Sequence, residues 1–390
     1  MSETSYVGSM SSSSRRAIIG SIAVSIAFVM ELTLVPLLLP AIQEQFSLSI
    51  GQLAWVFNSY GIAVAAGVLL GGLLGDVLRT KRVFSAGVLM FAAGSATVAT
   101  AGTFEMIIAG RVLQGFGGGV FSPLIPLLLT RSAPDRPGKV LIVWGSVAGY
   151  VAAFAPFLYG ITLAVQGWNL AFLIFAVVSL GALVIVNGAK ADDEPKTPPF
   201  SKDTYSKLLQ TPGLWVMYVY IFCTYGSITF FLFSVPLWLS GNDYQVSNIG
   251  LTLSVMWLSF SVISTLMRNW VDRPRVRKIL VTAPVLIAAG FLSAFLSTTL
   301  TALLIAAFLI GAGLACSNAP STQIILRFAP KGTGALSASL DITFARLGGV
   351  AAVAMLAQAA FSYTFVAILI MSIVALGCAI STSRRLRSAT

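Results

Sequence analysis

The sequence predicts an all-α membrane protein, twelve transmembrane helices in two pseudo-symmetric six-helix bundles. Three observations carry this. The 390-residue chain is 57% hydrophobic and 9% charged, against roughly 25% charged in soluble domains, so it cannot cover a water-facing surface. Apolar runs of about 20 residues, the length that crosses a bilayer, recur along the whole chain. The second half also repeats features of the first at an offset of 196 residues. Soluble enzymes and disordered proteins are excluded at once.

In order, the spans read 17–42, 53–75, 83–102, 104–129, 140–165, 168–188, 213–240, 249–270, 279–298, 300–326, 334–360 and 362–382. Ser14, Arg15 and Arg16 ahead of the first run superficially look like a twin-arginine export signal. The run is longer than a signal-peptide core and contains Glu31, and further spans follow, so a retained helix is expected. The connectors are short, leaving no room for a soluble domain. The longest holds Asp192, Asp193, Glu194 and the Pro198–Pro199 pair. The expected division is an N-terminal bundle over 1–188, a cytoplasmic linker over 189–211 and a C-terminal bundle over 212–390.

Charge placement gives the orientation. Assigning alternate connectors to opposite faces puts 22 of the 24 Lys and Arg residues on one side and none on the other. By the positive-inside rule that side is the cytoplasm. Both termini are therefore expected there, in a protein of the plasma (cytoplasmic) membrane. The net charge of +11 is topology, which excludes nucleic acid as a partner. Trp55, Trp168 and Trp238 near outer boundaries, and Trp215 and Trp270 near inner ones, fit interfacial anchors.

The repeat is visible in paired residues. Pro40 and Pro236, Asp76 and Asp272, Gly117 and Gly313, and Gly138 and Gly334 stand in one register, as do the strings beginning at Arg131 and Arg327 and ending in Pro134 and Pro330. Two parallel halves of this kind place substrate near the bilayer midplane between them.

Chemistry is confined to few groups. The chain has no His, and Cys223, Cys316 and Cys378 stand singly in apolar runs, so neither a disulfide framework nor a metal site is expected. Clustered nucleophiles and bases are missing too, which argues against an enzyme. Proton chemistry falls to carboxylates. Glu31 lies near the middle of the first span, where an ionisable group is by default a functional candidate. Arg111 lies about 10 Å inside the outer end of the fourth span, a little shallower than Glu31 and in reach of it. It needs a partner or a water-filled cavity, unless it snorkels to the outer headgroups. A purely structural Glu31–Arg111 pair is the simpler alternative to a proton site. Asp341 and Arg346 in the eleventh span point about 140° apart and are expected to meet different helices. Both are second-tier candidates. The seventh span is rich in aromatics, Tyr218 and Tyr225 among them, and the tenth supplies Ser317, Asn318 and Gln323. Polar tips on an apolar wall suit an amphipathic or aromatic ligand. Glycines four residues apart (Gly67, Gly71 and Gly75; Gly115 and Gly119; Gly145 and Gly149) predict close helix packing.

Four stretches carry motifs. Gly72, Leu74, Asp76 and Lys81 match a G-x-L-a-D-r-x-G-r-k pattern after the second span. Arg79 replaces its second Gly, and Val77 and Thr80 replace basic positions. The equivalent loop of the second half has Asp272 and Arg273. Ile107, Arg111, Gln114, Gly115 and Gly117 match l-x-x-x-R-x-x-q-G-x-g. Glu31, Thr33 and Pro40 match l-D-x-t ending in Pro, with Glu for Asp and Pro36 where Asn is usual. Pro156 and Gly160 remain from g-x-x-x-G-P-x-x-G-G, with Val151, Ala155 and Tyr159 replacing glycines.

Together the four stretches resemble the major facilitator superfamily and, within it, the drug:proton antiporters. The resemblance implies the fold of that superfamily and a cycle of alternating access. It implies a cytoplasmic gate at Gly72, Asp76, Lys81, Asp272 and Arg273, and an antiporter motif at Pro156 and Gly160. It implies proton coupling through Glu31, with Arg111, Gln114, Asn318, Tyr218 and Tyr225 as substrate or coupling partners. A carboxyl holds its proton tightly where water is excluded and loosely beside water or an arginine, so a cavity hydrated alternately from each side could load and unload Glu31. The expected function is proton-coupled efflux, by antiport, of small amphipathic compounds such as drugs or secreted metabolites. A nutrient symporter or importer and an exporter of a lipid or siderophore remain alternatives. The expected partners are a small-molecule substrate and the lipid bilayer, with no cofactor beyond protons as coupling ion, and a monomer is expected.

Overall fold

The computed structural model describes residues 11–188, 202–267, 276–330 and 333–388. Among them the first half forms α1 (Ser12–Phe46), α2 (Ile50–Val77), α3 (Thr80–Ala99), α4 (Phe104–Phe121), α5 (Leu124–Ser132), α6 (Pro137–Gln166) and α7 (Asn169–Asn187). A short α8 (Lys202–Leu209) follows. The second half forms α9 (Pro212–Gly241), α10 (Val246–Met267), α11 (Val276–Leu296), α12 (Leu300–Phe328), α13 (Gly334–Leu356) and α14 (Phe361–Ser388). Among the described residues eleven helices are long and apolar enough to cross a membrane, and twelve if the bent pair α4 and α5 is counted as one span. The repeat survives as register: α2, α3 and α4 begin at Ile50, Thr80 and Phe104, and α10, α11 and α12 each begin 196 residues later.

Helix ends follow from local chemistry. Ser11 caps α1 by accepting from the Ser14 amide at 3.0 Å, and the helix stops at Ser47, which takes left-handed φ 49°. Two residues on, Ser49 and Gln52 form a reciprocal capping box that starts α2. The tight αL turn is what lets two long helices reverse direction across so short a connector.

One span differs from expectation. The sequence reads 104–129 as a single helix, but the chain breaks after Phe121 and α4 and α5 are bent by 40°. Pro123 sits at the break. It lacks an amide hydrogen and its ring displaces the carbonyl four residues back, just after the run Gly117–Gly119. Within the expected linker, α8 adds a helical turn pair, and residues 189–201 lie outside the described residues.

α1 to α7 pack largely on one another, as do α9 to α14, and α2 against α13 and α6 against α10 join the two groups. The α2–α13 seam is antiparallel, with contacts at several levels. The Asn58 amide donates to the Val350 carbonyl at 3.1 Å, Thr343 Oγ1 to the Ala65 carbonyl at 3.4 Å, and Gly72 lies against Ser339. On the α6–α10 seam, the Phe157 amide, next to Pro156, donates to Ser254 Oγ at 3.0 Å. Gly160 and Gly250 bring the two backbones together there.

The glycine spacing in α2 has a geometric cause. A Cβ on Gly67 would collide with the Phe116 carbonyl, and one on Gly71 with the Val120 carbonyl. Gly115 and Gly119 of α4 face the Tyr60 and Val64 carbonyls in turn. Gly145 differs: nothing lies within 4 Å of its would-be Cβ, so its place in a four-residue series does not reflect packing. We expect Gly67→Leu to lower stability by about 1–3 kcal/mol or more through overpacking, read as a fall in Tm in detergent, with Gly145→Leu neutral.

Candidate functional site

Glu31 on α1 and Arg111 on α4 meet inside the first half. Arg111 Nη1 donates to Glu31 Oε1 at 2.6 Å, and the Arg111 and Glu31 side chains are 1% and 2% exposed respectively. Isolated charges at such burial are costly, and a pair is tolerated only with good geometry and further hydrogen bonds. Arg111 has these. Nη1 also reaches Gln114 Oε1 at 2.7 Å, and Nε donates to the Val56 carbonyl of α2 at 3.1 Å. Its guanidinium carbon lies 4.3 Å from the Tyr60 ring centroid and 5.9 Å from that of Phe172. The arginine turns inward, and does not snorkel.

Gln114 is held in turn. Its Nε2 donates to Ser95 Oγ at 2.9 Å, and Ser95 donates to the Phe91 carbonyl at 2.7 Å. Local sequence makes this reach possible. Gly94 of α3 lies against the Gln114 backbone and Gly115 against the Tyr60 carbonyl, so α4 sits close to both neighbours. Glu31 itself is asymmetric. Oε1 holds Arg111, whereas Oε2 has no partner within hydrogen-bond geometry. The Tyr60 hydroxyl is a loose hydrogen-bonding neighbour of Glu31, outside strict hydrogen-bond geometry.

The pair lines a cavity of about 50 Å³ between the two groups of helices. Asn58 and Tyr60 of α2, Thr229 of α9 and Arg346 of α13 share its wall, with apolar residues such as Val35 and Val350. Ligand pockets run to about 300–1,000 Å³, so the cavity as it stands is smaller than a drug-sized ligand needs.

The other expected residues fall in different places. Arg346 reaches the cavity, whereas Asp341 accepts from Thr322 Oγ1 of α12 at 2.6 Å; the two do meet different helices. Tyr218 does not line the cavity. It is fully buried, stacked on Phe344 at 5.0 Å, with its hydroxyl on the Ser337 carbonyl at 3.3 Å, where it joins α9 to α13. Tyr225 is half-buried, within electrostatic reach of Asp341 and Arg346, and also off the cavity wall. Asn318 is exposed and apart from the site. Its neighbour Ser317 is the buried one and pairs with Thr224 at 3.2 Å. Trp168 departs from its expected role as an anchor. It is 3% exposed, and its Nε1 donates to Gln45 at 2.7 Å.

At the expected gate, Lys81 Nζ donates to the Asn187 carbonyl at 3.1 Å, placing a cation at the negative end of α7. Gly72 sits on the α2–α13 seam, and Pro156 and Gly160 on the α6–α10 seam. The Asp76 side chain, Asp272, Arg273 and Trp270 lie outside the described residues. Asn58, Tyr60, Ser95 and Thr229 were not anticipated. Asn58, Ser59 and Tyr60 do stand out as a polar interruption of the second apolar run.

Comparison with known proteins agrees with this architecture. A sequence model of the Major Facilitator Superfamily matches residues 20–353. The chain is 32% identical over 183 residues to the tetracenomycin C resistance and export protein of Streptomyces glaucescens, covering 45% of this chain and 34% of that protein. It is 35% identical over 162 residues to a multidrug resistance protein B homolog of Mycobacterium tuberculosis, covering 41% and 30%. These matches span about a third of the relatives' own length. Among solved structures, the nucleoside transporter NupG aligns with a TM-score of 0.75 at 13% identity, over 94% of this chain and 98% of that one. An auto-inhibited POT family peptide transporter gives 0.73 at 12% identity, over 96% of each. At such identity these two speak for the fold alone. The family match covers most of the chain, the fold agrees and the spans are present: this integral membrane protein belongs to the major facilitator superfamily.

Proposed function

We propose that the protein exports small amphipathic compounds by proton-coupled antiport, through alternating access across the plasma membrane. The observation that carries this is the Glu31–Arg111 pair, a titratable carboxylate buried near mid-span and facing a small cavity between the halves. In the proposed cycle, substrate enters an inward-open cavity while Glu31 gives its proton to the cytoplasm. The halves rock, substrate leaves, and Glu31 takes a proton from outside. Arg111, held by Val56 and Gln114, fixes the carboxylate in place. The α2–α13 and α6–α10 seams supply the surfaces that part on each side in turn.

Both termini are proposed to lie in the cytoplasm, a reading the basic loops support, and a monomer is proposed as the working unit. The resistance and export proteins among the relatives support efflux as the direction.

Uptake into proteoliposomes with an imposed pH gradient and a panel of amphipathic compounds tests the reading. Accumulation driven by protons moving the opposite way is expected. Accumulation that follows protons in the same direction indicates symport and refutes antiport, and indifference to the gradient refutes proton coupling.

A further inference from the structure

Three charged side chains line the central cavity, Glu31, Arg111 and Arg346. Two of them satisfy each other. Arg346 has no ion pair or hydrogen bond among the described residues, although it stands in the middle of a transmembrane helix. A guanidinium at that depth is costly unless it faces water or a ligand. Across the same cavity are two acceptors outside strict hydrogen-bond geometry: Glu31 Oε2, with the Tyr60 hydroxyl as a loose neighbour, and Asn58 Oδ1. Asn58 is 5% exposed, and its amide orientation is fixed by the bond from Nδ2 to the Val350 carbonyl. The cavity thus presents an unspent cationic donor from the second half and unspent acceptors from the first, separated by an apolar wall that includes Val35, Leu232 and Val350.

We propose that Arg346 is a substrate-binding residue and that the site selects amphipathic molecules carrying an acceptor oxygen at one end and an O–H or N–H donor at the other, in preference to lipophilic cations. The inference rests on the transport reading above and names its substrate class. Arg346 donates to the substrate's carbonyl or carboxylate oxygen. Glu31 Oε2 and Asn58 Oδ1 accept from its donor. A cation without a donor meets the positive charge of Arg346 and leaves the acceptors unsatisfied. The same choice supplies coupling, because a donor seated on the Glu31 carboxylate occupies the acceptor that the proton needs. Substrate and proton then exclude each other, as antiport requires. Bridging from α1 and α2 to α13 also draws the two halves together around the bound molecule.

The test uses the full chain in proteoliposomes and three probes: 4-hydroxyacetophenone, its methyl ether 4-methoxyacetophenone, and tetraphenylphosphonium. Equilibrium binding and gradient-driven uptake are measured for wild type, Arg346→Gln and Arg346→Lys, with Tm checked for each. The hydroxylated ketone is expected to bind about tenfold tighter than the ether, and Arg346→Gln to weaken it about tenfold, the range for hydrogen bonds to charged groups. Arg346→Lys keeps the charge and recovers part of the loss, and Arg346→Gln improves tetraphenylphosphonium binding. Driven uptake that favours tetraphenylphosphonium in wild type, or that ignores the Arg346 substitutions, overturns this inference and leaves the transport reading standing. Failure of all three probes to bind or move counts against both.

Discussion

Replacing Glu31 with Gln is expected to abolish accumulation driven by a pH gradient while leaving exchange of labelled for unlabelled substrate across the membrane. Glutamine keeps the size of the side chain and can still accept from Arg111 Nη1, which now donates to Glu31 Oε1 at 2.6 Å, but it neither binds nor releases a proton. Exchange requires only binding and the rocking of the halves, whereas accumulation needs the titrating group. Glu31→Asp keeps the chemistry and should retain part of the driven uptake, limited by a shorter reach toward Arg111. Full driven accumulation by the Gln variant removes Glu31 from the coupling mechanism.

Arg111→Ala is expected to be the most destabilising single change at the site. Removing one member of a buried pair leaves the other charge uncompensated, at a cost of about 3–5 kcal/mol. Here the loss also orphans the Gln114 and Val56 acceptors. Glu31→Gln combined with Arg111→Met removes both charges at similar volume, and should recover much of the Tm lost in the single variant. Sites in one network couple by about 0.5–3 kcal/mol, so the thermal shifts of the two single changes should not add. Additive shifts would mean that the pair is not energetically linked. Arg111→Lys is a separate probe. A lysine ammonium lacks the planar fork that serves Glu31, Gln114 and the Val56 carbonyl together, so we expect reduced stability with charge retained.

The pair was legible in the sequence because charge is rare inside apolar spans, and each case demands a physical reason. Glu31 and Arg111 stand out against their neighbours, and their depths can be counted from the span ends. The register of the two halves was legible for a similar reason: Pro, Gly and loop charges recur at the same offset as the helix starts. The close α2–α4 contact was readable in the four-residue glycine spacing, although Gly145 shows that spacing alone does not establish contact.

What was not legible is which way most residues face. Lipid is as apolar as a packed core, so a helix in a bilayer carries little contrast between its buried and outer sides. Tyr218 and Tyr225 lie on one aromatic helix, and nothing local told the residue stacked on Phe344 from the one near Arg346. Asn318 and Ser317 are adjacent, yet the shorter side chain is buried and the amide exposed. Asp341 and Arg346 could be assigned to different helices by angle, but the angle did not say which of them faces the cavity. Trp168 looked like an anchor because of its place at a span end; its partner Gln45 lies 123 residues earlier in the chain. The bend at Pro123 was the one local feature open to reading, since proline marks most sharp helix breaks.

The central claim is that one carboxyl, Glu31, exchanges a proton for substrate. The most direct measurement is proton release in weakly buffered detergent solution, followed with a pH indicator as a transported compound is added to purified protein. At a pH low enough for Glu31 to hold its proton before substrate is added, the account predicts up to one proton released per molecule bound by the wild type, by linkage between the two equilibria, and none by Glu31→Gln at the same occupancy. Equal release from both proteins, or no release from the wild type at saturating substrate, would contradict it.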